Sequence, residues 1–324
     1  SEAMMISGKY TIDKGEGTSV AYRDLFAQPA TNSASDVEVI TAYAYSISLG
    51  VKHNTNYSII NASGNQIGLS KAFMDSYLMN DGSRFTDRPG YETMIFGEEF
   101  ENRDPRMFQT VRCPGYARIG KTHDVNRLYE AMQISATGYM PIKYIQSGDY
   151  DKQTSNENDI ILYRYAEVLL NYAEAKWEMG QFDQFIADRT INKLRPRAGV
   201  ALMKVSDINA SFDPKRDQAV DPVLWEIRRE RRVELMAEGF RMNDLKWWHK
   251  GEYVNKQQTG TWIKKADYPK LEITGGTDTE GYIKFFNDPV TMGFGWKDYM
   301  YVYPIPQSAL TKNPNLGKTP GYDY

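Results

Sequence analysis

Residues 159 to 180 read DIILYRYAEVLLNYAEAKWEMG, and how that stretch folds decides the architecture of the chain. Ile161, Tyr165, Val168, Leu169, Tyr172 and Ala175 recur at three- and four-residue steps, the period that lines up apolar side chains on one helical face. The spacing predicts a helix over 159–180, stopped by Gly180. A second helix is predicted over 182-FDQFIADRTINKLR-195, closed by Pro196 and Gly199. Two antiparallel helices joined by so tight a turn form a hairpin of the tetratricopeptide kind, with small Ala173 at the close contact, Gly180 at the turn and Phe182 after it. Phe185, Arg189 and Asn192 stand where that repeat carries small or apolar residues, so the match is degenerate.

Downstream, a third long helix is predicted over 222–240 and a short one over 242-MNDLKWWH-249. Within the third, 226-EIRRERRVELMAEGFR-241 repeats Glu226, Glu230, Glu234 and Glu238 every four residues beside Arg228, Arg229, Arg231 and Arg232. That pattern predicts a helix wrapped in solvated ion pairs rather than a nucleic-acid stripe, each exposed pair contributing about 0–1 kcal/mol. Residues 251–300 return to loops dense in rings, among them Tyr253, Trp262, Tyr268, Tyr282, Phe285, Phe286, Phe294, Trp296 and Tyr299, and the tail 313-NPNLGKTPGYDY-324 is rich in turn residues. Upstream, residues 1–158 read as loop-rich, mixed structure, with short apolar stretches such as 37-VEVITAYAY-45. One clear helix is predicted there at 69-LSKAFMDSYLM-79, stopped by Asn80, Asp81 and Gly82. The expected fold is mostly α: tetratricopeptide-like hairpins, extensive irregular loops and a few short strands. Its organisation is a loop-rich region over 1–158 beside a helical framework over 159–324, together one unit.

The chain of 324 residues is long enough for a self-supporting core. Its 39 Lys plus Arg against 42 Asp plus Glu leave a net charge of −3, too weak a field to gather nucleic acid or anionic lipid. A single cysteine, Cys113, and three scattered histidines, His53, His123 and His249, offer no metal-ligand spacing. No apolar run approaches a membrane span, and no cofactor is implied.

The stretch 115-GYARIGKT-122 matches the phosphate-loop pattern letter for letter at Gly115, Gly120, Lys121 and Thr122. Such a loop needs a buried strand to feed it. The feeder here, 106-RMFQTVRCP-114, carries Arg106, Gln109, Arg112 and Pro114, so the match reads as a surface loop. Scattered carboxylates at Asp149, Asp151, Glu157 and Asp159 leave a glycosidase-like acid and base pair open by counting alone, and 149-DYDKQTSNEND-159 lacks the spacing of an EF-hand.

The aromatic loops are the most informative chemistry. With 23 Tyr, 13 Phe and 6 Trp in a chain of mean hydropathy −0.59, many rings must sit in polar surroundings. Rings among short polar side chains suit the C–H faces and hydroxyls of a sugar, and equally a flat protein interface. Ring-bearing, non-periodic loops give the candidate ligand contacts Tyr91, Tyr116, Trp262, Tyr282 and Trp296, with Arg118 as a polar partner.

Seven segments in order, 103-RDPR-106, 137-TGY-139 with Lys143 and Tyr144 after it, 164-RYAEVLLNYAEA-175, 191-INKLRPRAG-199, 226-EIRRERRVELMAEGFRMNDLKWW-248, 303-YPIP-306 and 313-NPNLGKTPGY-322, resemble the SusD/RagB family of outer-membrane, nutrient-capturing lipoproteins of Bacteroidetes. The resemblance implies a helical, tetratricopeptide-containing fold without catalytic activity. It also implies a glycan or peptide ligand at the cell surface and a SusC-like TonB-dependent transporter as partner. Members of the family usually begin with a lipid-bearing cysteine and a sizeable helical region ahead of the segment resembling 4-MMISGKY-10, so the chain is expected to be the C-terminal part of a longer, lipid-anchored protein. Two rival functions stand beside glycan capture, a polysaccharide-degrading enzyme and a scaffold that binds only protein or peptide.

Overall fold

The computed structural model describes residues 1–28, 37–61, 66–120, 134–285, 295–313 and 315–322. Lys121, Thr122, His123, Phe286 and Phe294 lie outside them. The chain divides into two units, Ser1–Glu238 with Thr259–Phe285, and Gly239–Gln258 with Phe286–Tyr324. It is mostly helical with few short strands, as the periodicity predicts.

The larger unit opens with short elements: α1 (Glu2–Ile6), α2 (Ala21–Ala27), β1 (Val39–Tyr43), α3 (Thr55–Ile60), α4 (Lys71–Met74) and α5 (Pro105–Thr110). The helix predicted over 69–79 is only α4. Phe73, Met74 and Tyr77 of the apolar stripe are buried as the pattern requires. After Met74, however, the chain turns, and Leu78 and Met79 make isolated bridges to Arg84 and Arg103. The phosphate-loop feeder holds no strand at its start, because Arg106 and Gln109 belong to α5, capped by the side chain of Asp104.

The deciding stretch is strand first and helix second. Residues Ile160–Arg164 form β2, antiparallel to β1 with an irregularity near Thr41, and α6 (Tyr165–Glu178) follows at once, joined to the ribbon by Tyr165 N–H donating to the Glu38 carbonyl at 2.8 Å. Helical period alone cannot separate the two, since 160-IILYR-164 is also a β-rich apolar run. From Tyr165 onward the period holds: Tyr165, Leu169, Tyr172 and Ala173 are buried, and Gly180 takes the left-handed backbone (φ +67°) that ends the helix.

The second predicted helix divides into α7 (Gln184–Arg189), capped by the Asp183 side chain, and α8 (Ile191–Ala198). Buried Thr190 marks the break, where its hydroxyl donates back to the Ile186 carbonyl at 2.6 Å. Pro196 lies inside α8 rather than closing it, and Gly199 (φ +72°) ends it. Asp221 caps α9 (Pro222–Glu234), which packs with α6 and α8. The helix stops at Glu234, short of the predicted 240. A three-stranded antiparallel sheet, order β3-β5-β4, completes the unit: β3 (Trp262–Lys264), β4 (Ile273–Thr274) and β5 (Glu280–Ile283). Its main core gathers Phe73, Tyr77, Phe100, Met107, Tyr139, Val233 and Ile263 around Cys113, which is 3% exposed. Burial pushes the Cys113 thiol up to about 12.

The charge run on α9 is buried, not solvated. Glu226, Glu230 and Glu234 face inward, and their partners arrive from distant parts of the chain. Arg106 pairs with Glu230 at 2.7 Å and Glu234 at 2.8 Å, and Arg164 with Glu234 and Glu38 at 2.7 Å each. Arg195 reaches Glu226, and Arg197 reaches Glu234. Arg229 pairs with Glu230 and Lys143 with Glu238, each at 2.7 Å. Six cations (Arg106, Lys143, Arg164, Arg195, Arg197, Arg229) thus meet six carboxylates (Glu38, Asp104, Glu226, Glu230, Glu234, Glu238) in one dry seam. Burial works to raise the Glu230 carboxyl, but Arg106, Arg229 and Arg195 overcome it and bring it down to about 2.

The smaller unit holds α10 (Arg241–Trp247), two tight 3-10 turns at Gly251–Asn255 and Asp298–Tyr301, and α11 (Gln307–Lys312). His249 (φ +51°) takes the left-handed position after α10, and Lys250 N–H returns to the Leu245 carbonyl at 2.8 Å.

Candidate functional site

Three of the sequence candidates meet in the larger unit. Trp262 on β3 and Tyr282 on β5 are cross-strand partners with ring centroids 4.9 Å apart, set edge to face. The Tyr282 hydroxyl donates to the Glu92 carbonyl at 2.9 Å, which ties the sheet to the 3-10 turn carrying Tyr91. Lys215 Nζ donates to the Tyr91 hydroxyl at 2.6 Å, stands 4.0 Å from that ring's centroid and pairs with Glu92 at 2.8 Å. Little ring surface is left over: Trp262 is 6% and Tyr91 9% exposed, while Tyr282 is half-buried. The β4–β5 turn lies so close that a Cβ at Gly276 would come within 2.8 Å of the Trp262 indole. Burial raises the phenol pKa of Tyr282 and of Tyr91.

Tyr116 and Arg118 lie apart from that group. The Tyr116 ring packs on the main core with the Arg112 guanidinium 6.0 Å from its centroid. Arg118 pairs with Asp151 and donates to the Gln146 carbonyl at 3.0 Å. Trp296 belongs to the smaller unit: its indole packs 5.0 Å from Tyr301, and a Cβ at Gly251 would sit 2.0 Å from it.

Among the described residues, the most exposed rings are ones that sequence reasoning passed over. Trp247 on α10 is 88% exposed and Tyr303 is 71% exposed. Trp247 falls within the short helix predicted over 242–249 and Tyr303 within the 303-YPIP-306 segment, and neither is among the ring-bearing loop candidates. A helical wheel would have found the first. At 100° per residue, Met242, Asn243, Lys246 and Trp247 share an arc of about 140°, and Arg241, Leu245 and Trp248 fall on the opposite side. The structure agrees: Leu245 is buried, Arg241 stands 5.5 Å from the Trp248 ring, and Met242, Asn243 and Trp247 face water. Lys246 swings over Tyr303, with its ammonium 3.4 Å from the ring centroid. An indole face, a phenol, a carboxamide and an ammonium therefore share the outward side of one rigid helix and the strand of chain beside it. Such a ledge can stack against a C–H face and offer donors and an acceptor at its edge. Among the described residues no cluster could hold a metal ion, and no helix is long and apolar enough to cross a membrane.

Comparison with known proteins bears on both units. The sequence pattern of the SusD family matches residues 30–322. The SusD-like protein P38 of Formosa agariphila is 27% identical over 158 residues, 48% of this chain and 29% of that protein. A solved SusD-like carbohydrate binding protein from Bacteroides fragilis NCTC 9343 is 26% identical with a TM-score of 0.67, over 98% of this chain and 60% of that one. A second SusD-like protein from the same organism, 23% identical with a TM-score of 0.66 over 97% of this chain and 59% of its own, shares the fold. The chain thus spans 60% of the first solved relative, and its match spans 29% of the curated one.

Proposed function

Because the chain belongs to the SusD family, we propose that it binds complex glycans at the cell surface and delivers them to a SusC-like TonB-dependent transporter of the outer membrane. In this reading the protein holds the saccharide by ring stacking and hydrogen bonds and changes no bond in it. The full-length protein is carried at the outer membrane by a lipid anchor. The solved relative named as carbohydrate binding supports the ligand class, since it shares 26% identity over nearly the whole chain.

The observation that carries the reading is the outward face of α10. An indole that is 88% exposed on a rigid helix gains nothing for folding and is suited to a ligand that brings its own apolar face. In the larger unit, half-buried Tyr282 with Lys215 and Glu92 at its rim is the second proposed contact, and in the smaller unit half-buried Trp296 is the third. Tyr91 and Trp262 support Tyr282 from behind, and Tyr116 with Arg118 forms a separate proposed contact.

Titration of the protein with a panel of oligosaccharides by isothermal calorimetry tests the proposal. Heat of binding that falls in Trp247→Ala is expected. Sugar released from the panel on incubation would replace it with the enzyme reading. Met179 and Phe185, both 62% exposed around the α6–α7 turn, favour the protein-binding scaffold as a second reading. Peptide binding without any saccharide binding would establish that reading in its place.

A further inference from the structure

The ledge on α10 also speaks to which glycans it takes. Lys246 is the cation at its centre, and among the described residues it has no carboxylate within ion-pair distance, only the rings of Tyr303 at 3.4 Å and Trp296 at 6.0 Å. Some surface lysines are neutralised, as Lys215 is by Glu92 at 2.8 Å and Lys284 by Glu272 at 3.3 Å, and of the uncompensated ones among the described residues Lys246 is the one set beside an indole open to solvent. The acidic residue of α10, Asp244, lies about 160° around the helix from Lys246, on the side away from the ledge. Contact with a ring face holds an ammonium in place without consuming its N–H donors. Lys246 is therefore positioned and uncompensated, one residue from an indole open to solvent and three from the Asn243 carboxamide.

We propose that this face is a subsite for acidic saccharides, in which a sugar ring lies against Trp247, its hydroxyls meet Asn243, and a carboxylate or sulfate on it pairs with Lys246. The inference rests on the glycan-binding reading above and names the ligand class of that site. A neutral sugar could stack on the same indole but would leave the ammonium without a counter-charge. The net charge of −3 supplies no long-range attraction for an anion. The preference accordingly comes from one exposed contact, should be modest, and should weaken with salt.

The test titrates the intact protein at low ionic strength with three oligosaccharides of equal length: an oligogalacturonate, the same oligomer with its carboxyl groups reduced to alcohols, and a sulfated galactan oligomer. The oligogalacturonate or the sulfated oligomer should bind roughly three- to fivefold tighter than the reduced one, and which of the two leads identifies carboxylate or sulfate as the partner. Lys246→Gln should erase that preference, and Lys246→Arg should keep it. Trp247→Ala should weaken all three. Equal affinity for charged and reduced oligomers, or a preference that survives Lys246→Gln, overturns the acidic-saccharide inference and leaves glycan binding standing. No binding in any arm by a protein whose unfolding transition is intact, together with none across the wider panel, removes the glycan reading itself. Lys246 is at the surface and in no buried pair, so its variants should fold, and a thermal melt confirms it.

Discussion

Helices α9 and α10 follow one another along the chain, and each inverts the usual placing of residue types. The first turns Glu226, Glu230 and Glu234 into the interior, and the second turns Trp247 out to solvent. Each inversion has a different physical basis. Charges tolerate burial in the seam because each carboxylate meets guanidinium or ammonium groups at hydrogen-bonding distance, and six charges of each sign cancel. No comparable compensation exists for the exposed indole, which the fold leaves uncovered. Buried charge here marks framework, and exposed ring marks the surface offered to a ligand.

Substitutions can break or sharpen that contrast. The largest effect is expected at Glu234. Glu234→Gln leaves Arg106, Arg164 and Arg197 short of a counter-charge in a dry site, and should lower the unfolding free energy by about 3–5 kcal/mol in urea titrations. A loss below 1 kcal/mol would mean that water reaches the seam after all. Trp262→Ala should cost a similar ~3–5 kcal/mol, with Trp262→Phe recovering most of it, because the indole fills space behind Tyr282.

Acid comes next. The Glu230 carboxyl is held down to about 2 in the fold, below its ordinary value, so its contribution is fully present above the unfolded carboxyl pKa of about 4.5. That contribution is lost as pH falls from there through about 2. Below about pH 5 the melting temperature should decline, with about 3 kcal/mol lost to this one group. Glu230→Gln should flatten the decline while lowering stability at pH 7.

Gly251→Ala is expected to cost roughly 1–3 kcal/mol, since its Cβ would enter the Trp296 ring, and tryptophan fluorescence should report the displaced indole. The smallest effect on folding belongs to Trp247→Ala, within about 0.5 kcal/mol, combined with about a tenfold loss of saccharide affinity. A large stability loss there would turn the ledge into framework and dissolve the comparison.

Much of the helical framework was legible in residue spacing, because α6 needs only its own period and Gly180 to be recognised. What stayed hidden depends on partners far away in sequence. A run of Glu and Arg at four-residue steps looks the same whether its counter-ions are neighbours on one helix or Arg106, Arg164 and Arg195 from elsewhere. Residues 160–164 became a strand because Val39–Tyr43 was there to pair with them. Trp262 and Tyr282 read as loop rings until their strand register placed them side by side on adjacent strands, edge to face. Trp247 was the reverse case: the wheel of its own helix sets it opposite Leu245, and the signal was present in seven residues.

The deeply sunk thiol of Cys113 makes the larger unit self-reporting. Protonated at any physiological pH and shielded on all sides, it should ignore a disulfide reagent until the surrounding packing parts. The chain carries no other cysteine, so labelling kinetics under native conditions would clock the opening of that unit alone, with no engineered probe.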